Sequence, residues 1–191
     1  NQLESDMSLK IVQESRGVII DLNDYTVACR AFDKFFNVQE PHAAKLTKNI
    51  RALEKIDGSI IKVWSDRNGN VRVSTNGMID AADADILLPV NKIKTYQDLF
   101  NEALNETDMK LEDFKKYRDY TLIFELVSPL NRIVVPYQNT ELFFLGVRNN
   151  QSGQEWTPYD FNDENLNNNF SRPKLYDIQT VEQAIDVAKT L

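Results

Sequence analysis

A single cysteine, Cys29, and a single histidine, His42, among 191 residues exclude an internal disulfide, a His-rich metal site and the usual Cys/His zinc cluster. No apolar run approaches the roughly 20 residues of a membrane-crossing helix. The opening Asn1-Gln2-Leu3-Glu4 has neither a basic stretch nor the apolar core of a leader, so a cytoplasmic, intracellular setting is expected. Positive charge is also in deficit, because 22 Lys and Arg face 29 Asp and Glu for a formal net charge of -7. That balance argues against a broad cationic surface holding nucleic acid through many phosphate contacts; any such contact must be local. What is present, 42% hydrophobic residues with ten Phe and seven Tyr, suits one domain built on one sizeable core.

Turn chemistry divides the chain into short strands. Gly17 to Leu22 and Thr26 to Arg30 flank Asn23-Asp24, and Ser59 to Trp64 and Asn70 to Ser74 flank Asp66-Arg67-Asn68-Gly69, so two hairpins are predicted. Thr95 with Asp98 three residues on resembles a capping box, and Tyr96, Leu99, Phe100, Ala103 and Leu104 recur at helical spacing, which predicts a helix over 95–105. Thr121 to Val127 and Glu141 to Val147 are β-rich, and a last helical pattern starts at Thr180. Leu46 to Leu53 reads as a helix-like approach, and Asn149 to Asn169, crowded with Asn, Gln, Asp, Gly and Ser, as a solvated surface loop. The fold class that follows is α+β: an antiparallel or mixed sheet with flanking helices.

Three places stand out chemically. Lys55-Ile56-Asp57-Gly58-Ser59 puts a lysine just before an apolar strand, with Gly58 allowing close backbone approach. A free lysine amine is protonated at neutral pH, with a pKa of roughly 10.4, and serves as a nucleophile only when its surroundings release the proton. The bland alternative is a solvated lysine before a turn. In Thr121-Leu122-Ile123-Phe124-Glu125-Leu126-Val127 both alternating faces are apolar, so Glu125 is buried whichever face it takes, a costly placement unless it is paired or binds something. Arg30-Ala31-Phe32-Asp33-Lys34-Phe35-Phe36-Asn37 sets Lys34 among three phenylalanines, a pattern that by itself usually means core with a snorkelling lysine. Arg16 before a strand usually means surface.

The order of these pieces is more specific than any one of them. Ser15-Arg16-Gly17, Lys34-Phe35-Phe36-Asn37, Lys55-Ile56-Asp57-Gly58-Ser59, Phe124-Glu125-Leu126-Val127-Ser128-Pro129, Asn131-Arg132-Ile133-Val134 and Leu145-Gly146-Val147-Arg148-Asn149 together resemble the bacteriophage T4-type RNA ligases across residues 15–150. The resemblance implies a nucleotidyltransferase fold, ATP-grasp-like, with residues 1–191 forming an adenylation domain incomplete at its C-terminus. It implies an enzyme in which Lys55 attacks the α-phosphorus of ATP, AMP passes to an RNA 5′-phosphate, and the 3′-hydroxyl of another RNA end seals the strand, with Mg²⁺ neutralising phosphate charge. No obligate protein partner is implied. It places Arg16, Lys34, Asp57, Gly58 and Glu125 around the nucleotide, and against the adenine either Phe143 or Phe144, of which an alternating strand can offer only one; Phe144 is the choice made here. Two departures qualify it. The second strand after the nucleophile reads Val73-Ser74-Thr75-Asn76-Gly77 where a basic residue is usual, leaving only Arg72 to supply that charge. After residue 150 there is neither a strand carrying Glu-Gly nor a Lys-x-Lys, the lysines that normally hold the triphosphate, so feeble or absent self-adenylation is expected of this stretch. The rival readings are a DNA ligase or capping-type nucleotidyltransferase, and a non-catalytic nucleotide- or RNA-binding module.

Overall fold

The computed structural model describes residues 5–45 and 50–189. Strands are placed along the chain as β1 (Ile19–Ile20), β2 (Val27–Cys29), β3 (Ala52–Leu53), β4 (Ser59–Ser65), β5 (Val71–Thr75), β6 (Asp85–Val90), β7 (Ile93–Thr95), β8 (Tyr120–Val127), β9 (Glu141–Asn149), β10 (Glu155–Trp156) and β11 (Leu175–Tyr176). The helices are α1 (Lys10–Glu14), α2 (Tyr96–Asn105), α3 (Glu164–Asn169) and α4 (Val181–Ala188). Five strands join in the order β10-β9-β8-β4-β5, each paired antiparallel to its neighbour. Of the two sheet types expected, the antiparallel one is found.

The sheet separates two kinds of surface because its side chains alternate. Leu122, Phe124 and Leu126 of β8 share one face with Ile61 and Val63 of β4, Val73 of β5 and Leu142, Phe144 and Val147 of β9. That face meets Leu99, Phe100 and Ala103 of α2, with Phe114 and Phe170, in the main core. The opposite face carries Ile60 and Lys62 of β4, Ile123 and Glu125 of β8 and Phe143 of β9. The β1–β2 hairpin and the segment after it tie to this second face: the Arg30 amide donates to Thr121 Oγ1 at 2.9 Å, and Arg148 Nη1 donates to the Ala31 carbonyl at 2.6 Å.

Local chemistry explains the expected elements. Gly69 adopts φ 79° in the β4–β5 turn, where Asp66 Oδ1 accepts the amides of Asn68 and Asn70. At α2, Thr95 Oγ1 accepts the Asp98 amide at 3.2 Å and the Asp98 carboxylate accepts the Thr95 amide at 3.0 Å, which closes the capping box.

Two expectations need correction. The approach to Lys55 is not helical where it is described: Ala52–Leu53 is a strand paired with Leu175–Tyr176, and residues 46–49 lie outside the described residues. The stretch 149–169 is more than a solvated loop, for β10 pairs with β9, and Asp163 caps α3 by accepting the Leu166 amide at 3.1 Å. Leu166 is fully buried, and Trp156 and Phe161 pack on Tyr120. A few apolar anchors fix a stretch whose composition is otherwise polar.

Candidate active site around Lys55

Lys55 lies between two backbone tethers. Before it, the Glu54 amide donates to the Lys174 carbonyl at 2.8 Å, extending the β3–β11 pairing up to the lysine. After it, Ile56 is buried and the Gly58 amide donates to Glu125 Oε1 at 3.1 Å. A side chain at Gly58 would collide with the Leu126 carbonyl and come within 3.0 Å of Glu125 Cγ, so this crossing of β8 requires glycine. Lys55 itself stays exposed. The chain around it is pinned while its amine is left accessible.

Glu125 sits on the central strand β8, directly opposite Ile60 of β4 and Phe143 of β9, and is only 8% exposed. Burial pushes its carboxyl up to about 7; the Gly58 amide and the nearby Lys55 charge pull the other way. Asp57 faces a different partner. Its Oδ2 accepts the amides of Val134 and Val135, each at 2.7 Å, and these bonds hold its carboxyl below the usual carboxylate range. The Asp57 amide donates to the Tyr137 hydroxyl at 3.4 Å, and the Tyr137 ring lies 6.5 Å from that of Phe143. Asp57 thus folds the 132–137 loop back toward the strand position opposite Glu125. The loop has a second anchor in buried Asn131, whose amide donates to Tyr96 Oη at 2.9 Å and to Ser59 Oγ at 3.3 Å.

The other expected residues fall into two groups. Arg16 is exposed at the turn that enters β1, and Gly17 follows it with φ 72°. Lys34 Nζ donates to the Phe35 carbonyl at 2.8 Å and lies 5.4 Å from the Phe36 ring centre. The segment carrying Lys34 reaches the Glu125 face through Phe32, whose ring approaches Gly146 opposite Ile123. Arg72 and Phe144 are placed elsewhere. Arg72 pairs with Trp64 at the far end of β4, some 15–20 Å along the strand from Gly58, and its guanidinium binds Asp66 at 2.9 and 3.0 Å. Phe144 is fully buried in the core, 5.5 Å from the Phe124 ring, whereas Phe143 is partly exposed and shares the Glu125 face. Phe143, and not the expected Phe144, therefore shares the face of Glu125, because Phe144 pairs with Phe124.

Sequence reasoning passed over two side chains here. Tyr137 gave no pattern to follow. Lys62 did, as a lysine inside the apolar run Ser59 to Trp64; it faces Ser74 on β5 and Ile123 on β8, and only 1% of it is exposed. Among the described residues no group of three or more His, Cys, Asp or Glu converges as a cation site.

An antiparallel sheet with one apolar face packed on helices, and a polar face where an accessible lysine adjoins a buried glutamate, has a counterpart among solved structures. An archaeal ATP-dependent RNA ligase shares the fold, with a TM-score of 0.51 and 16% identity over 73% of this chain and 35% of that one. The sequence goes further than the fold. The chain belongs to the RNA ligase family, whose model matches residues 14–191. It is 33% identical to a putative bifunctional polynucleotide kinase/RNA ligase of Autographa californica nuclear polyhedrosis virus, over 98% of this chain and 28% of that protein. It is 28% identical to an RNA ligase of Rhodothermus phage RM378, over 70% of this chain and 36% of that protein. The chain thus spans about a third of the length of these curated relatives.

Proposed function

We propose that this chain carries the nucleotide-transfer site of an ATP-dependent RNA ligase working in an intracellular setting, with Lys55 as the residue that takes up AMP. One observation carries the reading: an accessible lysine is pinned on both sides by backbone pairing and set beside Glu125, a buried carboxylate on the central strand. Lys55 Nζ attacks the α-phosphorus of ATP, the bond to the β-phosphate oxygen breaks, pyrophosphate leaves, and the amine is left as a phosphoramidate of AMP. AMP then passes to an RNA 5′-phosphate, and the 3′-hydroxyl of a second end displaces AMP to seal the strand. Glu125 in its charged form accepts hydrogen bonds from the ribose hydroxyls. Phe143 lies against the adenine, with Tyr137 beside it. Arg16 and Lys34 supply charge toward the phosphates, Gly58 lets the backbone pass close to Glu125, and Asp57 acts through the loop it folds.

Mg²⁺ fits this site as an ion carried mainly by the nucleotide's phosphates, because Asp57 Oδ2 is committed to two amides and, among the described residues, no three His, Cys, Asp or Glu converge as a cation site. When bound, it neutralises charge on the phosphates during transfer. Incubation with α-labelled ATP and Mg²⁺, followed by a chase with 5′-phosphorylated RNA, tests the proposal. Label is expected on the protein first and on the RNA afterwards. Label retained on protein whatever RNA is added would contradict the second step, and label on protein that persists in Lys55→Ala would contradict the whole reading.

A further inference from the structure

Lys62 is a buried amine that the transfer chemistry described above does not use. It stands on β4 facing the same side as Glu125, one pairing step along the ladder, since Ile60 is opposite Glu125 and Lys62 opposite Ile123. Such diagonal neighbours lie roughly 7–8 Å apart. Among the described residues no carboxylate pairs with Lys62. Its Nζ instead donates to the Gly17 carbonyl at 2.5 Å. A β-carbon at Gly17 would lie 2.8 Å from Asn76 Oδ1 and 3.1 Å from Lys62 Nζ, and Asn76 Oδ1 is buried without a hydrogen-bond partner. The residue before Gly17 is Arg16, exposed and in no ion pair with any described residue. Lys62 is thus bonded to the residue that follows Arg16, and neither cation is paired with a carboxylate among the described residues.

This arrangement is costly in a protein with no use for it. A buried lysine ammonium without a counterion loses its hydration and regains only what one carbonyl offers, and a neutral side chain could hold the same carbonyl. Burial accordingly holds the Lys62 amine below its ordinary pKa. An anion at the turn would offset the desolvation.

We infer that Lys62 is a positioning residue for the phosphates of the nucleotide: by clamping the Gly17 carbonyl it holds the turn that presents Arg16. The inference rests on the nucleotide-transfer reading. Lys62 touches neither the reacting atoms nor the base; it acts through Arg16.

Binding of α,β-methylene-ATP, which cannot transfer AMP, is compared with binding of adenosine in wild type, Lys62→Met, Arg16→Ala and the double variant. Lys62→Met is expected to weaken the analogue about tenfold or more, as displacement of a binding group does, and to leave adenosine unchanged. The double variant should bind no worse than the weaker single variant, because both remove one device. Gly17→Ala disturbs the same clamp without touching Lys62 and should show the same loss confined to the analogue, which covers a Met variant that fails to fold. Losses that multiply in the double variant, equal losses for adenosine, or no loss would each overturn the inference and leave the ligase reading standing. Wild type binding neither compound would overturn both.

Discussion

At Glu125 the site and the stability of the chain depend on the same proton. Its carboxyl is raised to about 7 by burial, above an unfolded value near 4.3. The folded state therefore keeps a proton that the unfolded state gives up. The stability this contributes is complete below about pH 4.3 and is lost as pH rises through about 7. Glu125→Gln removes the titration, so at about pH 8 the variant should resist urea better than wild type, by on the order of 2 kcal/mol. Near pH 4 the gap should close; a gap independent of pH would contradict the assignment. The two neighbouring phenylalanines divide in a similar way. Phe144→Ala should cost about 3–5 kcal/mol of stability by opening a cavity against Phe124. Phe143→Ala should cost far less and weaken adenosine binding instead, and the reverse pattern, read by thermal melts and titration, would return Phe144 to the nucleotide.

Strand β8 positions more of the site than any other element, with Gly58 crossing it where Leu126 and Glu125 leave no room for a β-carbon. Gly58→Ala should therefore lower AMP uptake by at least tenfold, because even a small displacement of the backbone next to Lys55 is felt at the reacting atoms. Unchanged uptake in a labelling assay would show the crossing to be looser than it is drawn. Elements specified by neighbours in sequence were legible beforehand: the Asn68-Gly69 turn and the Thr95–Asp98 cap use contacts within three or four residues. Thr95→Ala should accordingly cost about 1 kcal/mol in denaturant melts, and no change would mean that packing alone holds α2. Elements specified across the chain were not legible. The tether of β3 to β11 spans more than a hundred residues, and nothing local to Ala52–Leu53 announces it. Whether Phe143 or Phe144 faces Glu125 depends on a register shift between Ile123 and Phe124, which alternation within β9 cannot reveal. Lys62 was visible as a lysine in an apolar run, yet its meaning required knowing that β1 begins above it.

Over the whole molecule, the sheet keeps its two tasks on opposite faces, one packed on α2 and the other carrying Glu125 and Phe143, with Lys55 near enough for its charge to act on Glu125. A formal net charge of -7 leaves few cations to meet RNA. The salt dependence of RNA binding by this chain should therefore be shallow, with a slope of log affinity against log salt no steeper than about -3, in keeping with contacts from Arg16, Lys34 and Lys55 alone. A much steeper slope, measured by titrating labelled RNA at several salt concentrations, would reveal a cationic surface that the acidic balance argues against. The most direct test of the central claim is to map the site of AMP attachment. The chain is incubated with ATP and Mg²⁺, digested under conditions that preserve phosphoramidates, and sequenced by tandem mass spectrometry beside Lys55→Ala. AMP on the Lys55 peptide alone, even at low occupancy, and its loss from the variant is the predicted result. AMP on another lysine, or AMP that persists in Lys55→Ala, would contradict it.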